Sequence, residues 1–127
     1  MTAKSFKDLI VWQKAFQLTE QIYRFTNNLP ESEKFSLTAQ IRRSAISICS
    51  NIAEGYERNN RKEYLHFLSL ARGSSAELEA QLLLAQRIYG LEVEAEVALL
   101  TEAQKLLWVF NKNLRLTPSP QPPSPIP

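Results

Sequence analysis

Between residues 8 and 116 the sequence contains a single proline, Pro30, and three glycines, so little in this stretch interrupts a helix. In a helix interior proline and glycine cost about 3 and 1 kcal/mol, and they usually mark helix ends. Apolar residues recur through the same stretch at alternating steps of three and four, which is the spacing of one face of an α-helix. The pattern therefore predicts an all-α fold with short connections.

Capping and stop signals divide this stretch into four amphipathic helices. Pro30 ends the first, because the residue before proline is disfavoured in the helical conformation. Ser36 and Asn60 are typical N-cap residues, and Gly90 is a typical left-handed C-cap. Helices joined by such short connections predict an antiparallel up-down four-helix bundle. The predicted helices cover residues 6–28, 37–58, 61–89 and 92–114, all within a bundle domain of residues 1–116.

Each helix has one stripe of residues that we expect to form the core. The third helix has the most regular stripe, with a heptad pattern typical of helices that cross at about 20°. Gly73 interrupts its middle, and we expect another backbone to approach closely there. The predicted core residues, helix by helix, are Leu9, Trp12, Phe16, Thr19, Tyr23 and Thr26; Leu37, Ile41, Ala45, Ile48, Ile52 and Tyr56; Tyr64, Leu68, Ala71, Ser75, Leu78, Leu82, Ala85 and Tyr89; and Leu99, Ala103, Leu106 and Phe110, with Leu100, Leu107 and Leu114 beside this last stripe.

The last eleven residues, 117–127, contain six of the seven prolines and no core-forming pattern. This composition predicts a disordered, flexible tail outside the bundle. The single cysteine, Cys49, gives no disulfide within the chain and suits a reducing compartment. The sequence has neither a signal-peptide pattern nor a run of 18 apolar residues, so we expect a cytoplasmic protein without membrane contact.

One side of the second helix carries mostly small side chains where a solvent-exposed face would carry lysine and glutamate. We expect this side to contact another helix or a second copy of the chain. Charged residues there would need partners, because an unpaired buried charge is costly. The predicted oligomer interface or buried polar network consists of Arg43, Ser47, Ser50, Asn51, Glu54, Arg72 and Glu77, with Arg42 and Glu79 nearby.

Two other interpretations of these residues remain open, a partner-binding surface and a catalytic site. Against catalysis, the only histidine, His66, falls between two core positions and is expected to face outward. No Cys/His set has metal-ligand spacing, and there is no glycine-rich phosphate loop. The sequence therefore predicts no catalytic residues, no cofactor or metal and no small-molecule substrate.

Net charge is +2, with a mildly basic first half and a mildly acidic second half. The densest basic patch is Arg58, Arg61 and Lys62, at the turn between the second and third helices. These residues are candidates for nucleic-acid contact. The alternative is a solvated loop whose charge Glu57 and Glu63 neutralise. Tyr56 and Tyr64 could stack on bases, although both occupy predicted core positions.

Several linked motifs resemble one bacterial family. The strings QIRRSA, SNIAEG, FL-x-LARGS and ELE, together with the opening FKDLIVWQKAFQLTEQIY and then LPESEKFSL, are similar to 23S rRNA intervening-sequence proteins over about residues 6–114. The resemblance implies a four-helix bundle that assembles as a homopentamer. A related branch, the accessory variability determinants of diversity-generating retroelements, binds a reverse transcriptase and nucleic acid. This sequence has Cys49 where the family usually has proline, which should leave the second helix straighter.

From the residues and this resemblance, we expect a non-catalytic homo-oligomeric scaffold that binds RNA or a nucleic-acid-processing protein. The alternative is a protein–protein interaction module without nucleic-acid affinity.

Overall fold

The computed structural model describes residues 3–116, and the predicted tail, 117–127, lies outside them. The described part is helical and contains no strand. No helix in residues 3–116 is long and apolar enough to cross a membrane. Two short 3₁₀ turns, Phe6–Asp8 and Glu31–Glu33, precede the first and second helices. The four α-helices are α1, Ile10–Thr26; α2, Leu37–Glu57; α3, Arg61–Tyr89; and α4, Glu94–Leu116.

The bounds of α3 are as predicted, and the other helices differ by a few residues. The first helix begins at Ile10, not at residue 6, because Leu9 is extended and separates α1 from the 3₁₀ turn. Ser5 caps that turn, accepting a hydrogen bond from the Lys7 N–H at 3.1 Å. The second helix ends at Glu57, and the fourth is shifted by two residues to Glu94–Leu116.

The caps of α2 and α3 use side chains three residues apart. Asn60 accepts a hydrogen bond from the Glu63 N–H at 2.8 Å, and its amide donates to the Glu63 carboxylate at 2.7 Å. Ser36 holds the N-cap position of α2 but donates to Glu33, whose carboxylate accepts the Leu37 N–H at 3.2 Å. A carboxylate therefore stabilises the positive N-terminal end of α2.

The helices form a closed ring in which α1 contacts α2 and α4, and α3 contacts the same two helices. All four helices contribute buried side chains to one hydrophobic core. The predicted stripes of α2 and α3 are largely confirmed, since Ile41, Ile48, Leu68 and Leu78 are fully buried. In α4, Leu100 and Leu107 are fully buried, whereas the predicted Leu99 and Leu106 lie at the edge of the core.

The predicted core stripe of α1 is wrong along the middle of the helix, although its two end members, Leu9 and Thr26, are buried as predicted. Phe16 and Tyr23 are 48% and 41% exposed, and Trp12 and Thr19 are half-buried. The buried stripe is rotated from the predicted one by about 100°, or one residue. Both stripes have apolar residues at helical spacing, so periodicity alone did not distinguish them. The residues that α1 buries are Val11, Ala15, Leu18, Ile22, Phe25 and Thr26.

The close approach of two helices occurs at a different glycine from the one predicted. A Cβ atom added at Gly73 would have nothing within 4 Å in this chain. A Cβ atom added at Gly55 would lie 3.0 Å from the Phe67 Cβ and 3.1 Å from the Tyr64 ring. The absence of a side chain at Gly55 therefore allows α2 and α3 to pack closely near the turn that joins them.

Candidate binding surfaces

The basic end, which consists of Arg58, Arg61 and Lys62, lies at the turn between α2 and α3. Arg58 is the C-cap of α2, and its side chain is already engaged within the chain. Its guanidinium lies 3.5 Å from the Glu54 carboxylate, 4.0 Å from that of Glu63 and 4.7 Å from the centre of the Phe67 ring. Arg58 is thus largely neutralised.

Arg61 and Lys62 occupy the first turn of α3 and have no carboxylate partner among the ion pairs of residues 3–116. Lys62 is exposed and Arg61 is half-buried. The Arg61 Nη1 and the Arg58 Nε are buried atoms without a hydrogen-bond partner in this part of the chain. The charges of Arg61 and Lys62 are therefore not balanced by a carboxylate within the described residues.

The outer face of α2, defined here by Arg43, Ser47, Ser50 and Glu54, is exposed or half-buried. Ser47 is hydrogen-bonded to Ser74 of α3, with their hydroxyls 2.7 Å apart. Asn51 donates to the Ser47 carbonyl at 2.8 Å and to its hydroxyl at 3.0 Å. This serine–asparagine chain connects α2 to α3, and the exposed Arg43 and Ser50 lie outside it.

The predicted network is only partly assembled within one chain. Arg72 and Glu77 are exposed on α3, and within residues 3–116 no ion pair joins either of them, or Arg43, to an opposite charge. Glu79 instead accepts a hydrogen bond from Gln104 of α4 at 3.1 Å. Arg42 donates to Thr26 at 2.8 Å. The wider network depends on a second chain and stays a prediction.

Sequence reasoning missed an aromatic groove between α1 and α2, with a volume of about 610 Å³. Its α1 side carries the stripe that was predicted to be core, and its α2 side is mostly small or apolar. The sequence did contain a signal for this groove, because α1 has two apolar faces. One face packs in the core, and the other indicates a second contact surface. The groove is defined here by Trp12, Phe16 and Tyr23 of α1 with Ile46, Cys49 and Ala53 of α2.

Cys49 lies at the base of this groove, half-buried, with its sulfur 3.3 Å from the Thr19 hydroxyl. Burial raises the pKa of the Cys49 thiol, an effect that the Thr19 hydrogen bond partly offsets. Because the thiolate is the nucleophilic form, the environment of Cys49 favours the unreactive thiol at neutral pH.

Two other candidate side chains, His66 and Tyr64, contact aromatic rings within the chain. His66 is exposed and its ring lies 5.4 Å from that of Phe67. Tyr64 is 2% exposed and packs edge-on against Phe110 at 5.3 Å, so its ring is not available for stacking on a base. Burial raises the pKa of the Tyr64 hydroxyl. Among residues 3–116 no group of three His, Cys, Asp or Glu side chains is placed to hold a metal ion.

Comparison with known proteins identifies a family and a structural relative. The family described as 23S rRNA-intervening sequence protein matches residues 7–112. A crystal structure from Bacteroides thetaiotaomicron, of a protein with unknown function from the S23 ribosomal protein family, superposes with a TM-score of 0.72 at 27% identity. The match covers 81% of this chain and 99% of the other. No curated protein matches the chain significantly.

Proposed function

Because the chain belongs to the 23S rRNA-intervening sequence protein family, we propose that it is a non-catalytic, homo-oligomeric scaffold that binds RNA or a nucleic-acid-processing protein, such as a reverse transcriptase, through the basic end. The observation that carries the proposal is the pair Arg61 and Lys62, which start α3 without carboxylate partners in residues 3–116. The family's name supports an RNA-related role.

Repetition of the basic end around an oligomer strengthens this argument. The two basic-end cations per chain without carboxylate partners, Arg61 and Lys62, give a weak phosphate site, but a homopentamer would present about ten of them. Binding would then fall steeply with salt, because each neutralised phosphate releases condensed counterions. The net charge of one chain, +2, would understate the local charge of such an oligomer.

The bundle that presents these charges is proposed to have the antiparallel up-down order. Side-chain pairs support this order. Lys14 pairs with Glu102 at 3.0 Å and Gln21 pairs with Glu96 at 2.6 Å. Residue numbers therefore rise along α1 in the direction in which they fall along α4, as in two antiparallel helices. Thr19 donates a hydrogen bond to the Ala45 carbonyl, and Thr26 accepts one from Arg42. These two contacts give the same antiparallel relation between α1 and α2.

The outer face of α2 is the proposed contact between copies of the chain. Arg43 is exposed and Ser50 is small, so a neighbouring helix can approach closely there. The exposed Glu77 of a second chain could supply the opposite charge for Arg43. Ser50→Glu should therefore lower the molecular mass measured by light scattering. The control is Ser32→Glu, the same change at an exposed position in the connection before α2, which should leave the mass unchanged.

Fluorescence anisotropy with a structured RNA at two salt concentrations tests the nucleic-acid contact. The double variant Arg61→Glu/Lys62→Glu should weaken binding at least tenfold and reduce its salt dependence. The control is Lys34→Glu/Arg87→Glu, which makes the same change in net charge elsewhere on the chain and should have a much smaller effect. Equal losses in both variants would show an effect of net charge alone.

The alternative is a protein–protein interaction module without nucleic-acid affinity. The engagement of Arg58 by Glu54 and Glu63 favours it, because this pairing reduces the positive charge of the basic end. Absence of salt-dependent RNA binding at micromolar protein would refute the leading proposal. In that case, retained oligomer mass and capture of a protein partner through the same surfaces would support the alternative.

A further inference from the structure

We propose that Trp108 of α4 is a stacking site for an unpaired RNA base, within a basic face that α3 and α4 form together. This proposal rests on the proposed RNA binding at the basic end, with which the face shares Arg61. It adds the class of RNA that is bound, which is single strands and loops. The α3–α4 face is defined here by Arg61 and Arg72 of α3 with Lys105, Trp108, Lys112 and Arg115 of α4.

Trp108 differs from the other exposed aromatic side chains in the charges around it. It is 54% exposed, and the Lys112 ammonium lies 5.0 Å from the centre of its ring. From residue 103 to residue 116, α4 contains no aspartate or glutamate. By contrast, a glutamate lies within four residues along the chain of each other exposed aromatic ring in residues 3–116, those of Phe16, Tyr23, Phe35 and His66. A phosphate backbone that approaches Trp108 therefore meets no carboxylate in that part of α4.

The cations of α4 lie on the same side of the helix as Trp108. Steps of three, four and three residues, the spacing of one helix face, separate Lys105, Trp108, Lys112 and Arg115. All four side chains are exposed, and no ion pair within residues 3–116 includes any of the three cations. They extend over about 15 Å of the helix axis. A single strand that follows these cations would therefore place its bases beside the indole ring.

Contacts between α3 and α4 place Arg72 at the level of the indole ring. Gln104 of α4 donates a hydrogen bond to the Glu79 carboxylate of α3 at 3.1 Å. Further along the two helices, the rings of Phe110 and Tyr64 lie 5.3 Å apart. Because Arg72 lies between Glu79 and Tyr64 in α3, it is level with the stretch of α4 that carries the indole.

Both arginines of α3 project from the side that meets α4. Arg72 precedes Glu79 by seven residues and Arg61 precedes it by eighteen, which are close to two and five helical turns. They therefore share the side of α3 from which Glu79 reaches Gln104. Trp108 follows Gln104 by one turn, so it lies on the side of α4 that faces α3. The α3–α4 face thus continues from the basic end to the indole ring.

An exposed ring among unpaired cations suits an unpaired base better than a duplex or a membrane. In duplex RNA the bases stack on one another, so aromatic side chains stack on bases in single strands, loops and bulges. Each such stack strengthens binding about five- to 150-fold. A membrane-binding helix separates an apolar face from its cations. On α4 the cations Lys105 and Lys112 instead lie between Trp108 and the exposed Val109 and Leu116 around the helix, so the apolar side chains form no continuous face.

Fluorescence anisotropy of the full-length chain with two labelled RNAs tests the proposal. The RNAs are an unstructured single strand and a duplex of the same sequence. Trp108→Leu should weaken binding of the single strand at least about fivefold and change binding of the duplex by less than about twofold. Trp108→Phe should keep most of the single-strand affinity, because phenylalanine retains an aromatic face. The control Phe35→Leu removes a ring that is 88% exposed in the connection before α2, and it should leave both affinities unchanged.

In a Trp12→Phe background, the fluorescence of Trp108 reports the contact directly. The single strand should quench this fluorescence, and the duplex should quench it much less. If Trp108 in the free protein is already blue-shifted and protected from acrylamide, another segment or another copy covers the ring and the proposal is wrong. If vesicles of phosphatidylcholine and phosphatidylserine shift its emission and the single strand does not quench it, the partner is a membrane surface and the proposal is likewise wrong.

The anisotropy measurements distinguish failure of this proposal from failure of the proposed function. If Trp108→Leu leaves the single-strand affinity unchanged, or weakens both RNAs equally, base stacking on Trp108 is refuted while RNA binding by the basic end stands. If the unmodified chain binds neither RNA with salt dependence at micromolar protein, the proposed function is refuted, and base stacking on Trp108 is refuted with it.

Discussion

Replacing Gly55 with alanine should destabilise the protein, although alanine is the better helix former. The added Cβ would lie 3.0 Å from the Phe67 Cβ and 3.1 Å from the Tyr64 ring. The Phe67 Cβ is fixed to the backbone of α3, so it cannot move away by a change of rotamer. Either α2 and α3 separate by a few tenths of an ångström or Tyr64 shifts within the core, where it is 2% exposed.

The expected magnitude follows from two opposing contributions. Alanine in place of glycine stabilises a helix interior by about 1 kcal/mol, and overpacking a well-packed contact costs about 1–3 kcal/mol. Gly55→Ala should therefore lower the free energy of unfolding by up to about 2 kcal/mol. Gly73→Ala is the matched control, because its Cβ would meet nothing within 4 Å in the chain. It should raise the free energy of unfolding by about 0.4–1 kcal/mol.

Urea unfolding followed by far-UV circular dichroism, at a fixed chain concentration, measures both variants. A shift of about 1 kcal/mol corresponds to roughly 4 °C in Tm for a chain of this size, so thermal unfolding also resolves the pair. If Gly55→Ala stabilised the protein as much as Gly73→Ala, the close packing of α2 on α3 at Gly55 would be refuted. If Gly73→Ala were destabilising, another copy of the chain would have to pack against that position.

Three further predictions test the core, the capping carboxylate and the buried hydroxyl. Leu18→Ala should lower the free energy of unfolding by about 2–5 kcal/mol, because Leu18 is buried, whereas Phe16→Ala should lower it much less. Equal losses in urea unfolding would contradict the assignment of the buried face of α1. Hydrogen bonds from Ser36, Tyr89 and the Leu37 N–H lower the pKa of Glu33. The ionised Glu33 carboxylate therefore stabilises the folded protein at neutral pH, and this contribution is lost as pH falls from about 4.5 through the lowered pKa. Glu33→Gln should therefore lower Tm at pH 7 with a smaller difference at pH 3, and an unchanged difference would refute the linkage. Tyr64→Phe should change stability by less than about 1 kcal/mol, because the Tyr64 hydroxyl is buried without a partner in residues 3–116, and a larger loss in urea unfolding would indicate a hydrogen bond there.

The helical class and most of the core were predictable from the sequence because α2 and α3 each have one dominant apolar stripe. In α3, the residues from Tyr64 to Ala85 at heptad spacing are buried as expected. The α1 face was not predictable from periodicity, since Phe16 and Leu18 belong to two apolar stripes of the same period. Which stripe faces the core depends on the neighbouring helices, and a single helix sequence does not contain that information.

The candidate surfaces were predictable to a smaller extent. The positions of Arg61 and Lys62 at the start of α3 followed from the Asn60 cap, which the structure contains. The engagement of Arg58 by Glu54 and Phe67 did not follow, because it depends on how α2 and α3 meet. The groove could not be predicted either, because it forms only where α1 and α2 lie side by side. The close packing at Gly55 depends on Phe67 and Tyr64 of α3, which the sequence around Gly55 does not show.

The hydrogen bond from the Tyr56 hydroxyl to the Ala3 carbonyl, at 3.1 Å, has a practical consequence for constructing fusions. It anchors the amino-terminal segment beside the carboxyl end of α2, the end that also carries Arg61. An affinity tag or fluorescent domain added before Ala3 would therefore overhang the cations whose binding is to be measured. Ser32, which is exposed and lies in the connection before α2 at the opposite pole, offers an attachment site for a dye or a sensor surface. A chain immobilised there would present its cations outward.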